Sequence, residues 1–254
     1  MELIILGSGT AIPLNHRASP SLAIVIDGQL ILFDMGPGTL RQLTKGGLNH
    51  EDITRIFITH FHPDHTAGLI HFLFTTKNPS ILEKRDPFVI AGAVGLKEFI
   101  NRLQGAYGDC LSLPTEIMKI EELYVHQSNV MNYPGFKITA RPVNHTPNSL
   151  AYRVEDQQGK SIVYSGDSGF CDGLVDVAKG TDLLVLESSF PDGVEVEGHL
   201  TPSQAGHIAT LANAKRLVLT HFYPECLATD ITAQCRKSYE GELTLGSDLL
   251  HLHI

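Results

Sequence analysis

The chain has 254 residues, 43% hydrophobic and 19% charged, which is enough apolar material for a real core in one domain. Its formal net charge of −9 argues against broad electrostatic capture of nucleic acid, which needs a basic footprint. No apolar run approaches the ~18 residues of a membrane helix, and the opening Met1-Glu2-Leu3-Ile4-Ile5-Leu6 lacks the basic start of a signal peptide, so a soluble cytoplasmic protein is expected.

Taken in chain order, residues 3–6, 22–26 and 30–33 are short aliphatic runs that read as strands. Asp27-Gly28, between the second and third, is a hairpin turn signal. A helix is expected near residues 39–44, a strand at 56–59 and a helix at 94–103. Strands follow at 136–143, 150–154, 161–164, 183–186, 217–220 and 249–253, with helices at 202–212 and 230–238. The first of these two helices is well marked: Thr201 can cap it, Pro202 suits its first turn, and Gln204 completes a capping box. Strands interspersed with helices, without strict βαβ alternation, predict an α/β architecture of two packed sheets with helices outside. Nothing resembles a linker or a short repeat, so residues 1–254 are read as one domain.

Several of these strands end on metal-ligating residue types. The strand at 56–59 runs into His60, the strand at 136–143 is followed by His145, the one at 161–164 leads to Asp167, and the one at 217–220 reaches His221. Strand ends gather at one edge of a sheet, where sites form. The run His60-Phe61-His62-Pro63-Asp64-His65 adds more. In an extended chain residues i and i+2 face the same way, so His60 and His62 can share one ion. Asp64 and His65 lie beyond Pro63, where the chain turns, and can face a second. Imidazole and carboxylate without thiolate suit Zn²⁺, and also Mn²⁺ or Fe. Together with His145, Asp167 and His221, these residues suit two metals with positions left open for water and substrate.

The run resembles the H-x-H-x-D-H signature of the metallo-β-lactamase superfamily, and the later residues match its remaining ligands in order. That resemblance implies a four-layer αββα sandwich. It implies one metal on His60, His62 and His145, another on Asp64, His65 and His221, and Asp167 between them. Within the superfamily the chain looks most like the ribonuclease Z group. The residues that carry this likeness are the glycine loop Leu6-Gly7-Ser8-Gly9-Thr10-Ala11-Ile12-Pro13, the block Leu32-Phe33-Asp34-Met35-Gly36-Pro37-Gly38-Thr39, and the later blocks around Glu187 and His199. Asp34 is then expected to accept a hydrogen bond from a ligand imidazole. The group's long tRNA-gripping arm lies between the ligands matching His145 and Asp167. Here residues 146–166 hold no more than two strands and a turn, so the resemblance does not carry tRNA over.

The expected chemistry is phosphodiester hydrolysis of a small molecule or an RNA end by metal-activated water. Asp64 would serve as ligand and base, and His199 as general acid oriented by Glu187. A carboxylic ester, lactone or thioester hydrolase on the same centre is the alternative. Relatives of this type are often dimers, which leaves room for a homodimer. Gly7-x-Gly9 lacks the third glycine of a phosphate loop and reads as a tight turn. No G-x-S-x-G supports a serine nucleophile. Cys110, Cys171, Cys226 and Cys235 form no C-x-x-C pair and read as reduced thiols.

Overall fold

The computed structural model describes residues 1–125 and 129–254. Two seven-stranded sheets face each other. The first contains β1 (Glu2–Gly7), β2 (Ser21–Ile26), β3 (Gln29–Phe33), β4 (Ile53–Phe57), β5 (Phe88–Ala93) and β6 (Met118–Leu123). The second contains β7 (Asn129–Tyr133), β8 (Phe136–Pro142), β9 (Leu150–Asp156), β10 (Ser161–Tyr164), β11 (Leu183–Glu187), β12 (Arg216–Thr220) and β13 (Glu242–Leu245). The last strand, β14 (Leu250–His253), returns to the first sheet and pairs antiparallel with β1.

Residue alternation sets the layers. Leu3 and Ile5 of β1, and Leu183 and Val185 of β11, point into the core between the sheets, with Phe33, Phe57, Tyr152 and Tyr164. Ile4 and Leu6 turn outward to a second core, with Leu43, Phe72 and Ile100. These three come from helices Thr39–Lys45, Gly68–Thr76 and Leu96–Tyr107. Leu184 and Leu186 turn to a third core with Leu174 and Ile208, from helices Asp172–Ala178 and Pro202–Leu211. Strands hydrophobic on both faces are the mark of sheets covered on both sides. The result is the αββα sandwich.

The Asp27-Gly28 turn has both residues at positive φ, 49° and 74°, the backbone of the hairpin turn expected between β2 and β3. The capping box at Thr201 and Gln204 is formed. Other expectations shift. The strand placed at residues 56–59 begins at Ile53 and ends at Phe57. The helix placed at 230–238 contracts to Ile231–Cys235. β5, β6, β7 and β13 were not anticipated. β6 carries Lys119, Glu121 and Glu122, β7 has two Asn among its five residues and no buried position, and β5 ends in Ala-Gly-Ala, each of which weakens the β signal.

β8, β10, β11 and β12 run the same way, because β8–β9 and β9–β10 are antiparallel while β10–β11 and β11–β12 are parallel. Their C-terminal ends therefore share one edge. No helix among the described residues is long and apolar enough to cross a membrane.

Candidate metal centre

Donor atoms of His60, His62, His145 and Asp167 lie within 4.8 Å of one another, and so do those of Asp64, His65 and His221. Asp167 lies between the two sets. Its Oδ1 is 3.1 Å from His65 Nε2 and 3.3 Å from His221 Nε2, and its Oδ2 is 3.8 Å from both His60 Nε2 and His145 Nε2.

Four imidazoles are held by their other nitrogen. His60 Nδ1 donates to the Thr59 hydroxyl at 3.0 Å, and His65 Nδ1 to Asp34 Oδ2 at 2.7 Å. His145 Nδ1 donates to the Gly198 carbonyl at 3.0 Å, and His221 Nδ1 to the Ser189 hydroxyl at 2.9 Å. Each bond fixes one tautomer and turns Nε2 inward. Asp34 is fully buried and also accepts from the Thr59 backbone N–H, the Thr59 hydroxyl and the Tyr164 hydroxyl.

These inward atoms give the test of fit for metal. His60 Nε2, His65 Nε2, His221 Nε2 and Asp167 Oδ1 are buried and make no hydrogen bond. A buried polar atom left so costs on the order of 1–3 kcal/mol. Several converging on one place are expensive unless an ion satisfies them. The imidazole and carboxylate donors fit divalent cations.

The electrostatics differ from ring to ring: a neutral imidazole can ligate directly, whereas one held protonated must give its proton up to a cation. Burial and the neighbouring His65 push the His60 pKa down and keep that ring neutral. Burial also holds His145 down. Burial opposes charge on His65, but Asp167 and Asp34 outweigh it and hold its pKa well above the usual value. Burial would raise Asp64, yet the neighbouring His221 and His65 keep its carboxyl below the usual range.

The local backbone is unusual in two ways. Gly36 passes so close to the Asp64 turn that a Cβ there would stand 2.2 Å from the Asp64 carbonyl oxygen. Asp34 and His221 sit at φ of 60° and 58°, a region non-glycine residues seldom enter and which clusters at functional sites.

Beside the metal ligands, Glu187 ends β11 fully buried. Its Oε1 accepts from His199 Nδ1 at 2.8 Å and from the Ser168 N–H at 3.0 Å. Its Oε2 accepts from the N–H groups of Ser189 and Leu200 and from the Ser189 hydroxyl. His199 feels burial, which lowers its pKa, but the Glu187 bond and charge win and raise it above 6.5. Thr59, Ser189 and the Gly198 carbonyl orient the ligand imidazoles, a role that no pattern in the sequence assigns to them. Each lies within two residues of a residue that was named, and that adjacency was the only signal. Cys226 is buried in the short helix Pro224–Leu227, where burial pushes its thiol up to about 11.

A family model described as the beta-lactamase superfamily domain matches residues 29–222. Ribonuclease Z of Thermobifida fusca is 29% identical, across all of this chain and 94% of its own length. Ribonuclease Z of Methanothermobacter thermautotrophicus is 25% identical, across all of this chain and 97% of its own. Among solved structures, the short form of human tRNase Z is 30% identical, with a TM-score of 0.82, covering 100% of this chain and 99% of that one. The metallo-beta-lactamase fold protein YhfI from Bacillus subtilis has a TM-score of 0.85 at 22% identity, covering 99% of this chain and 98% of its own, and shares the fold.

Proposed function

This chain belongs to the beta-lactamase superfamily, and on that premise we propose that it is a phosphodiesterase of the ribonuclease Z type working with two divalent cations. The observation that carries the reading is the buried Glu187–His199 pair standing beside the two donor sets. Zn²⁺ suits the donors best, with Mn²⁺ or Fe as alternatives. When bound, such ions lower the pKa of a water towards ~7 and offset charge on phosphoryl oxygens.

The chain's own residues do the rest. Asp167 presents one oxygen toward each donor set and would help hold both cations. Asp64, kept ionised by His221 and His65, serves as ligand and accepts the proton of the attacking water. His199 commits its Nδ1–H to Glu187, which leaves Nε2 to deliver a proton to the departing oxygen. Glu187 is locked by its backbone donors and cannot turn away from His199. A thioester gains less from this acid pair, because its thiolate departs far more readily than the alkoxide of a phosphodiester, and for an ester or lactone attack on the carbonyl, rather than departure, is the step such a centre must help.

The substrate is a small phosphodiester or an RNA end rather than the body of a tRNA. Between His145 and Asp167 the chain makes only the β9–β10 hairpin. The alignment with the Thermobifida fusca relative runs over 313 residues against 254 here, so that relative carries segments this chain lacks.

The test is turnover of bis(p-nitrophenyl) phosphate against a lactone and a thioester. The phosphodiester should be preferred, and on a dinucleoside monophosphate, whose leaving group is an alkoxide, His199→Ala should lower turnover by about 10²–10⁴ while metal content is kept. Faster lactone or thioester hydrolysis that survives His199→Ala would overturn the reading.

A further inference from the structure

Phe190 and Tyr223 leave the ends of β11 and β12 directly beside the centre: Phe190 follows Ser189, and Tyr223 lies just past His221. Their rings stack, with centroids 4.8 Å apart and planes 15° from parallel. The Phe190 centroid is 5.7 Å from that of His199, and the Tyr223 centroid is 5.9 Å from that of His221. A backbone hydrogen bond from Tyr223 N–H to the Ser189 carbonyl, 3.2 Å, ties the two loops together. Both rings are only half-buried, and neither is counted in the buried core of the described residues. Two large aromatic rings have thus been placed in contact at the mouth of a polar centre, where packing of the interior does not require them.

We propose that the Phe190–Tyr223 pair is a stacking wall for a nucleobase carried on the substrate next to the scissile phosphate. The proposal rests on the phosphodiesterase reading and adds the substrate class to it. A net charge of −9 gives the protein little long-range hold on a polyanion, so contacts beside the reacting group would add to what the metal centre supplies. Each ring already covers one face of the other, so the outer face of the pair would supply such a contact to any base, because every base has a π-face and stacking does not read its identity. The wall therefore separates nucleotide esters from aliphatic phosphodiesters without selecting among bases.

The experiment is titration calorimetry of the full, metal-loaded protein with adenosine 5′-monophosphate and with ribose 5-phosphate, which differ by the base alone. The nucleotide should bind about tenfold more tightly, within the roughly five- to hundredfold that one stacked base is worth. Tyr223→Leu and Phe190→Leu should bring the two ligands within about twofold of each other through loss on the nucleotide side. Tyr223→Phe, which keeps the ring, should retain the preference. Equal affinity in the parent protein, no detectable binding of either ligand, or a preference that survives Tyr223→Leu overturns the proposal. Turnover of bis(p-nitrophenyl) phosphate, measured on the same sample, reports separately on the phosphodiesterase reading.

Discussion

The carbonyl oxygen of Gly198 lies 3.0 Å from Nδ1 of His145, so the residue before the candidate acid also orients a candidate metal ligand. Gly198 has φ +78°, and a Cβ at that position would stand 2.8 Å from the same nitrogen. Gly198→Ala should therefore displace His145 and His199 together. Loss of a group that orients a ligand typically costs about 10–100-fold in metal affinity or activity. Metal content by mass spectrometry and phosphodiester turnover should fall in parallel; a variant with parental values in both would refute the coupling.

Glu187→Gln tests the acid pair by its pH dependence. Burial pulls the His199 pKa down, and the Glu187 carboxylate more than compensates, leaving it above 6.5. The protonated ring is the active form, so the rate should fall as pH rises through that raised pKa. Removing the carboxylate's charge lowers the pKa, and the alkaline limb of the profile should move to lower pH. A limb that stays in place or moves upward would show that His199 does not set it.

Asp34→Asn keeps the size of the side chain but removes the charge that faces His65 Nδ1 at 2.7 Å. Metal affinity should drop by about 10–100-fold, with the larger loss in the set formed by Asp64, His65 and His221. Competition against a chelating dye would measure it. Unchanged affinity for both ions would exclude Asp34 from ligand positioning.

Metal removal should also destabilise the fold. Chelation would leave the buried His60, His65 and His221 Nε2 atoms and Asp167 Oδ1 without partners. Ligands that bind only the native state raise its stability by mass action, so Tm should fall on chelation and recover when Zn²⁺ or Mn²⁺ is returned. Scanning calorimetry with and without chelator tests this; an unchanged Tm would mean the cluster is not satisfied by an ion.

Much of this was legible in the sequence for a physical reason. His60, His62, Asp64 and His65 are close together in the sequence, and His145, Asp167 and His221 each follow a segment that reads as a strand. What escaped depended on three-dimensional adjacency. Ser189 is an ordinary serine until β11 and β12 run parallel and bring its hydroxyl to His221. Thr59 is likewise unremarkable in sequence, yet its hydroxyl spans Asp34 and His60. The strand β6 hides because it carries Lys119, Glu121 and Glu122, which dilute the β pattern.

The return of β14 to the first sheet has a consequence for how the molecule can be divided. Strands β7 to β13 form one sheet without interruption, but the other sheet is closed by the chain's last segment. Asp248, just before β14, accepts hydrogen bonds from Ser8, Ala18 and Gln42, which fastens that segment to the first glycine loop and helix. A single break in the backbone therefore cannot release two self-contained halves: the C-terminal fragment leaves with a strand that its partner needs.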